Sequence, residues 1–279
     1  MKTILFLLTL ALSTNINAIT IGHTVGFGTA ITLLKHNGYK YLDNTDHGRS
    51  LQSAVSFDGL GECYNPTEAG SWPGAKDETS SKIRYMTSAY SIELMGYWYN
   101  PNEWCINEQK PAIYPTTSVT SDYTLLKKYT ITDNILTINA TFYSPRSHKS
   151  ATFEALTAYV NEFNYSPLVN MTQLFSFDPK TGEEFPYTKD GEQKYPVVIA
   201  SVTGRYAIGM FSPDLPEYYG PDLVGYGMFD PPNAGIKKLN CVFRKQNIPA
   251  DSAHTFTCQV AVGTKQEVKD AITKLSSTR

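Results

Sequence analysis

Four cysteines in 279 residues are too few for a disulfide-dominated mini-fold. None sits at C-x-x-C spacing, which sets aside a zinc ribbon or a dithiol redox centre. Charged residues are also scarce, at 18%, against the usual ~25%. With 41% hydrophobic residues, the chain is not a disordered tail. The formal net charge of −2 offers no basic excess, so nucleic acid is not an expected partner. Past the first dozen residues no apolar run approaches the ~20 residues that span a bilayer, so no membrane span is expected. A nucleophile elbow, an H-E-x-x-H pair and a P-loop are all missing. Gly26-Phe27-Gly28 lacks the third glycine and the following helix of a dinucleotide loop. The five histidines, at 23, 36, 47, 148 and 254, are scattered with no metal-ligand spacing on one element. Neither a metal nor another cofactor is expected.

What is present points to export. Lys2 is followed by an apolar run from Ile4 to Leu12 and a small, polar stretch ending at Ala18. That is the pattern of a secretory leader over 1–18, leaving one domain over 19–279 with no Pro/Gly/Ser linker and no internal repeat. Losing Lys2 makes the mature chain slightly more acidic. Asn139, Asn164 and Asn170 begin glycosylation tripeptides, whereas Pro66 disqualifies Asn65. Four cysteines allow three disulfide connectivities. A hairpin folded about 249–250 would set Cys241 opposite Cys258, leaving Cys63 for Cys105. Free buried thiols are the alternative.

The chain reads as strand after strand. Lys35-His36-Asn37-Gly38 is a turn with the Asn-Gly signal. Arg49 to Phe57 alternates an apolar face with a small polar one that includes Gln52. The runs 123–131 and 135–143 flank Thr132-Asp133-Asn134, and 197–202 and 206–211 flank Thr203-Gly204-Arg205, each a hairpin. Ala151 to Tyr159 is a further strand, as are 238–246 and 254–262. Only the end is helical: Thr264-Lys265-Gln266-Glu267 is a capping box, followed by Val268, Ala271, Ile272 and Leu275 at helical spacing. The expected fold is all-β, a large two-sheet antiparallel sandwich with a short C-terminal helix.

The densest polar constellation is Asp46-His47-Gly48-Arg49 entering the strand with Gln52, followed by Asn65-Pro66-Thr67-Glu68. An imidazole can exchange protons near neutrality and a guanidinium can fork a carboxylate. His47, Arg49 and Glu68 are therefore candidate catalytic groups, with Asp46, Gln52 and Asn65 as candidate substrate contacts. An equally simple alternative is a loop braced by Asp46 and Arg49. Glu154, alone in a charge-poor strand, is a fourth catalytic candidate or an exposed-face residue. Tyr218, Tyr219 and Tyr226 lie in a Pro/Gly/Tyr-rich stretch and are candidate sugar-facing aromatics, or part of a rigid loop covering a sheet edge.

The stretches 46–54 and 62–70, with Ala151-Thr152-Phe153-Glu154-Ala155-Leu156-Thr157 and Tyr206-Ala207-Ile208-Gly209-Met210-Phe211-Ser212-Pro213, resemble a set of secreted, uncharacterised β-sandwich proteins. Size, strand count and polar-faced strands resemble the galactose mutarotase-like supersandwich. That resemblance implies a concave sugar-binding face and carbohydrate as the partner, by analogy of fold. Two expectations follow. One is a secreted polysaccharide lyase or glycoside hydrolase. The lyase would set Arg49 against a uronate carboxylate with His47 or a tyrosine as base. The hydrolase would set Glu68 against Glu154. The other is a non-catalytic secreted sugar-binding or structural protein.

Overall fold

The computed structural model describes residues 18–24, 26–43, 48–59, 61, 64–69, 79, 81–96, 120–162, 167–215, 225–232 and 234–278. Most of the expected leader, Asp46, His47, Cys63, Cys105, Asn164, Tyr218 and Tyr219 lie outside them.

Among the described residues, seventeen strands and one α-helix follow one another. They are β1 (Thr20–Gly22), β2 (Leu33–His36), β3 (Tyr39–Lys40), β4 (Leu51–Phe57), β5 (Lys82–Met86), β6 (Tyr90–Gly96), β7 (Thr120–Thr132), β8 (Ile135–Ser144) and β9 (His148–Asn161). There follow β10 (Met171–Phe177), β11 (Glu184–Pro186), β12 (Gly191–Gln193), β13 (Val197–Ser201), β14 (Ala207–Phe211), β15 (Tyr226–Phe229), β16 (Ile236–Ile248), β17 (Ser252–Gly263) and α1 (Lys265–Ser277). They form a nine-stranded sheet in the order β11-β10-β13-β14-β17-β8-β7-β6-β5, a five-stranded sheet in the order β12-β15-β16-β9-β4, and a small β1-β2-β3 sheet. The expected hairpins 123–143 and 197–211 are the antiparallel pairs β7–β8 and β13–β14. Between β2 and β3, Asn37 (φ 50°) and Gly38 (φ 80°) both take the left-handed conformation that a two-residue hairpin loop demands.

The main core fills the space between the nine- and five-stranded sheets. Phe142 on β8 and Phe256 on β17 meet Phe153 on β9 and Phe243 on β16, with ring centroids 4.4–5.1 Å apart for three of the contacts. Beside this cluster the Cys241–Cys258 disulfide is buried, with Cα atoms 6.5 Å apart.

The pairing of those two cysteines is as expected, but the geometry is not. β16 pairs with β15 and β9, whereas β17 pairs with β14 and β8. The segment around Pro249 therefore arches from one sheet to the other, and the disulfide joins the sheets through the core. A hairpin and an arch carry the same apolar alternation, because each strand needs only one face inward.

The helix covers the other face of the nine-stranded sheet. Its capping box is closed: Thr264 Oγ1 accepts from the Glu267 amide at 3.2 Å, and Glu267 Oε2 accepts from the Thr264 amide at 2.7 Å. Val268, Ala271 and Ile272 pack in a second apolar cluster with Phe175, Phe177, Val198, Ala200, Ala207, Phe211 and Ala261. The seat is close. A Cβ at Gly209 would lie 2.7 Å from Val268 Cγ1 and 2.8 Å from Ile272 Cδ1.

Two outcomes test this packing. Replacing Cys241 and Cys258 together by alanine should lower the unfolding free energy by about 2–4 kcal/mol in a denaturant titration. An unchanged midpoint would mean that the phenylalanine cluster alone holds the sheets. Gly209→Ala should cost about 1–3 kcal/mol as the helix is pushed off its seat, and a neutral or stabilising result would contradict the close approach.

Candidate functional site

The site begins with one extra residue. On β9, Glu154 pairs with Val242 and Leu156 with Cys241, so Ala155 is a bulge against β16. The same residue is out of step with β4, where Gln52 faces Thr157 and Ala54 faces Glu154. Ser53 Oγ donates to the Ala155 carbonyl at 2.7 Å. The bulge resets the alternation. Phe153, Leu156, Ala158 and Val160 enter the core, while Glu154, Thr157 and Tyr159 share the opposite face of the five-stranded sheet. On that face Asn240 of β16 lies opposite Thr157, and Lys238 lies opposite Tyr159.

The chain after β4 folds back over this face. Tyr64 forms a two-bond bridge with Val55, at 3.0 and 3.3 Å. Asn65 Oδ1 then accepts from the amides of Thr67 (2.9 Å) and Glu68 (2.8 Å), an Asx turn set around Pro66. The turn aims the Glu68 carboxyl at the sheet. Its Oε2 accepts from Asn65 Nδ2 at 2.7 Å and from Gln52 Nε2 at 3.0 Å. Burial, reinforced by the nearby Glu154 charge, pushes the Glu68 carboxyl up to about 7, against the opposing pull of Asn65, Lys238 and Gln52. Glu154 is held differently. Its Oε2 accepts from Thr157 Oγ1 at 2.5 Å and lies 3.3 Å from Lys238 Nζ. The Lys238 ammonium also rests near the rings of Phe229 (5.5 Å) and Tyr159 (5.8 Å). Gln52 Oε1, Thr67 Oγ1 and Asn240 Oδ1 are buried acceptors with no hydrogen-bond partner.

The structure thus unites Gln52, Asn65, Glu68 and Glu154 in one cluster. It takes the other described candidates elsewhere. Arg49 pairs with Asp43 at 3.1 Å and reaches the Ala234 carbonyl at 3.5 Å, bracing the entrance to β4. Tyr226, expected on a sugar-facing rim, is instead interior: it is 1% exposed, and its hydroxyl donates to the Ser212 carbonyl at 3.0 Å. It pairs with Cys241 and so faces the core with it. Gln52 is also less open than an alternating strand implies, at 2% exposure, because the 64–69 segment covers it. Asn139 lies mid-strand on β8, with its Oδ1 accepting from Thr257 Oγ1 at 2.8 Å, and Asn170 follows a short 3-10 turn.

Sequence reasoning missed Lys238, Thr157 and Asn240, whose relevance depends on the β4–β9–β16 register. The Lys237-Lys238 doublet inside an apolar strand was the available signal. It also missed two other polar networks. Fully buried Glu93 on β6 accepts from the Thr29 amide (3.0 Å) and hydroxyl (2.5 Å), while Lys127 and Tyr129 on β7 donate to the Thr29 carbonyl at 3.0 and 3.2 Å. Gly28, with φ 61°, passes so close that a Cβ would lie 2.7 Å from Glu93 Oε2. In the second network His148 bridges Asp58 (2.9 Å) and the Tyr123 hydroxyl (2.7 Å). Among the described residues no group of three or more His, Cys, Asp or Glu side chains is placed to hold a metal, and no helix is long and apolar enough to cross a membrane.

No protein-family model matches the chain, and no curated protein matches it in sequence. Among solved structures it is similar to a galactose mutarotase-like protein from Lactobacillus casei, with 10% identity, a TM-score of 0.49, and coverage of 88% of this chain and 97% of that one. It is similar to an aldose epimerase homologue from C. elegans at 11% identity and a TM-score of 0.47, covering 89% of this chain and 96% of that one. A polysaccharide lyase gives 13% identity and a TM-score of 0.40, covering 94% of this chain but 35% of the lyase. The similarity is to a galactose mutarotase-like fold, and at these values it says nothing of what this chain binds.

The Glu68 environment makes a pH prediction. A carboxyl raised to about 7 is protonated in the folded protein at pH values where the unfolded chain has already ionised. Its contribution to stability is complete below the ordinary glutamate range and is lost as pH rises through about 7. Denaturant titrations across that window should show stability falling with pH, and Glu68→Gln should flatten the slope. An unaltered slope in the variant would place the titration elsewhere.

Proposed function

We propose that this protein is a secreted carbohydrate-active enzyme that cleaves glycosidic bonds at the Glu68–Glu154 face of the five-stranded sheet. The observation that carries this is the contrast between the two carboxyls. Glu68 is held by burial to about 7, so near neutrality it can hold a proton for a leaving oxygen and take one back. Glu154 instead sits beside the Lys238 ammonium and accepts from the Thr157 hydroxyl. A carboxyl with a raised pKa and a second carboxyl in a cationic setting are the two kinds of group that glycoside hydrolysis uses. Orphaned acceptors on Gln52, Thr67 and Asn240 suit the hydroxyl donors of a sugar. The hydrolase form is favoured over the lyase form because the Arg49 guanidinium is engaged with Asp43. Export completes the proposal: the leader is removed after Ala18, and Asn139, Asn164 and Asn170 are glycan acceptors in a host that uses them.

A binding module without catalysis is the second reading. It is favoured by one observation: the Oε2 atoms of Glu68 and Glu154 each already meet two protein partners.

Incubating the mature protein with neutral and acidic polysaccharides separates these outcomes. Hydrolysis yields new reducing ends with no ultraviolet-absorbing product. Glu68→Gln and Glu154→Gln should each lower the rate by roughly 10²–10⁴-fold while both variants stay folded at the assay temperature. An unsaturated, absorbing product would replace the hydrolase with a lyase. Saturable binding without product would leave the module, and no binding at all would remove the site.

A further inference from the structure

A second site lies away from Glu68, where the β2–β3 turn, the β13–β14 loop and the start of α1 meet. A cleft of about 550 Å³ is lined there by His36, Tyr41, Arg205, Tyr206, Gly263 and their neighbours. That volume lies within the ~300–1,000 Å³ range of small-molecule sites. Two of its lining residues carry a buried polar atom without a well-aligned hydrogen-bond partner. His36 is 4% exposed and its Nδ1 makes no hydrogen bond, while Tyr41 is 0% exposed and its hydroxyl oxygen has only the Gly263 backbone beside it, without a well-aligned partner. Buried polar atoms are rarely left unpaired, and two lining the same cleft mark the place of a polar guest.

The remaining walls narrow the chemistry of that guest. Arg205 is exposed at the rim, its guanidinium 5.4 Å from the Tyr206 ring centroid. The other partner of Tyr206 is Tyr39, stacked at 4.1 Å. With the Tyr206 ring already committed to these two neighbours, recognition falls to hydrogen bonds and charge rather than to stacking on a sugar ring. Among the described residues lining the cleft, Arg205 is the only permanently cationic one. The adjoining cleft, which shares His36 and Asn37, carries Asp133, Glu267 and Asp270 against Lys274. Glu267 is itself held below the ordinary carboxylate range by the Thr264 amide. This surrounding negative charge disfavours a dianion most, and Arg205 is the group placed to offset a single negative charge.

We propose that this cleft binds a small hydroxylated monocarboxylate of monosaccharide size, a sugar acid. Its carboxylate pairs with Arg205, and its hydroxyls meet His36 Nδ1 and the Tyr41 hydroxyl. The site shares no residue with the Glu68 cluster.

Calorimetric titration of the full mature protein tests this with D-glucuronate, D-glucose as the uncharged counterpart, and inorganic phosphate. Glucuronate should bind saturably and about tenfold or more tighter than glucose, as expected for loss of a charge-assisted contact. Arg205→Gln, at an exposed position, should weaken glucuronate by about tenfold or more, and Tyr41→Phe by a few fold, with thermal midpoints close to that of the parent. No saturable binding of glucuronate overturns the proposal, as does binding that both variants leave unchanged. Phosphate binding tighter than glucuronate overturns the monocarboxylate assignment. Glucuronate affinity lost in Glu68→Gln but kept in Arg205→Gln would move the sugar acid to the five-stranded sheet, overturning this site while leaving the proposed function standing.

Discussion

Everything on the polar face of the five-stranded sheet depends on the bulge at Ala155. Without it, strict alternation would send Glu154 and Thr157 to opposite faces, and either the core would lose Leu156 or the cluster would lose Thr157. The extra residue lets β9 satisfy both. The Ser53 hydroxyl answers the Ala155 carbonyl at 2.7 Å, so a backbone irregularity between two neighbouring strands is not left unpaired. Buried apolar packing and the Glu154 carboxyl are thereby carried by one strand, on opposite sides, at a single point of irregularity.

That irregularity also explains what the sequence could and could not reveal. Alternation in Arg49–Phe57, the turn at Asn37-Gly38, and the capping box at Thr264 are local signals, and the elements they mark formed where expected. The all-β sandwich with one helix was legible from their sum. Glu68 and Glu154 could be nominated as carboxyls in unusual settings, but nothing in the chain declares that β4, β9 and β16 lie side by side. Lys238 therefore passed unnoticed. Tyr226 was misplaced for the opposite reason: composition gave a Pro/Gly/Tyr-rich stretch, while its strand phase beside Cys241 points the ring inward. The cysteine pair was right in partner and wrong in setting, since alternation cannot distinguish a hairpin from an arch.

Polar groups inside the sandwich are otherwise used as clamps. Thr29 offers its amide and hydroxyl to Glu93 and its carbonyl to Lys127 and Tyr129. One residue of the segment before β2 is thus fixed by oppositely charged groups from two adjacent strands of the nine-stranded sheet. Burial pushes the Glu93 carboxyl up, opposed by the Lys127 charge and the Thr29 hydrogen bonds. The same residue types that make chemistry at Glu68 make architecture here. The difference is access: Glu93 is fully buried, whereas Glu68 keeps partial contact with solvent.

The arch between β16 and β17 has a consequence for timing. In a hairpin, two cysteines become neighbours as soon as the turn forms. In this fold Cys241 and Cys258 belong to different sheets and face each other only through the interior. Seventeen residues apart, their sulfurs can meet in the open chain by loop closure, but the fold holds them together only once the sheets have met. The bond is then retained by correct assembly, and a chain whose sheets have not closed on each other leaves it open to reduction and exchange.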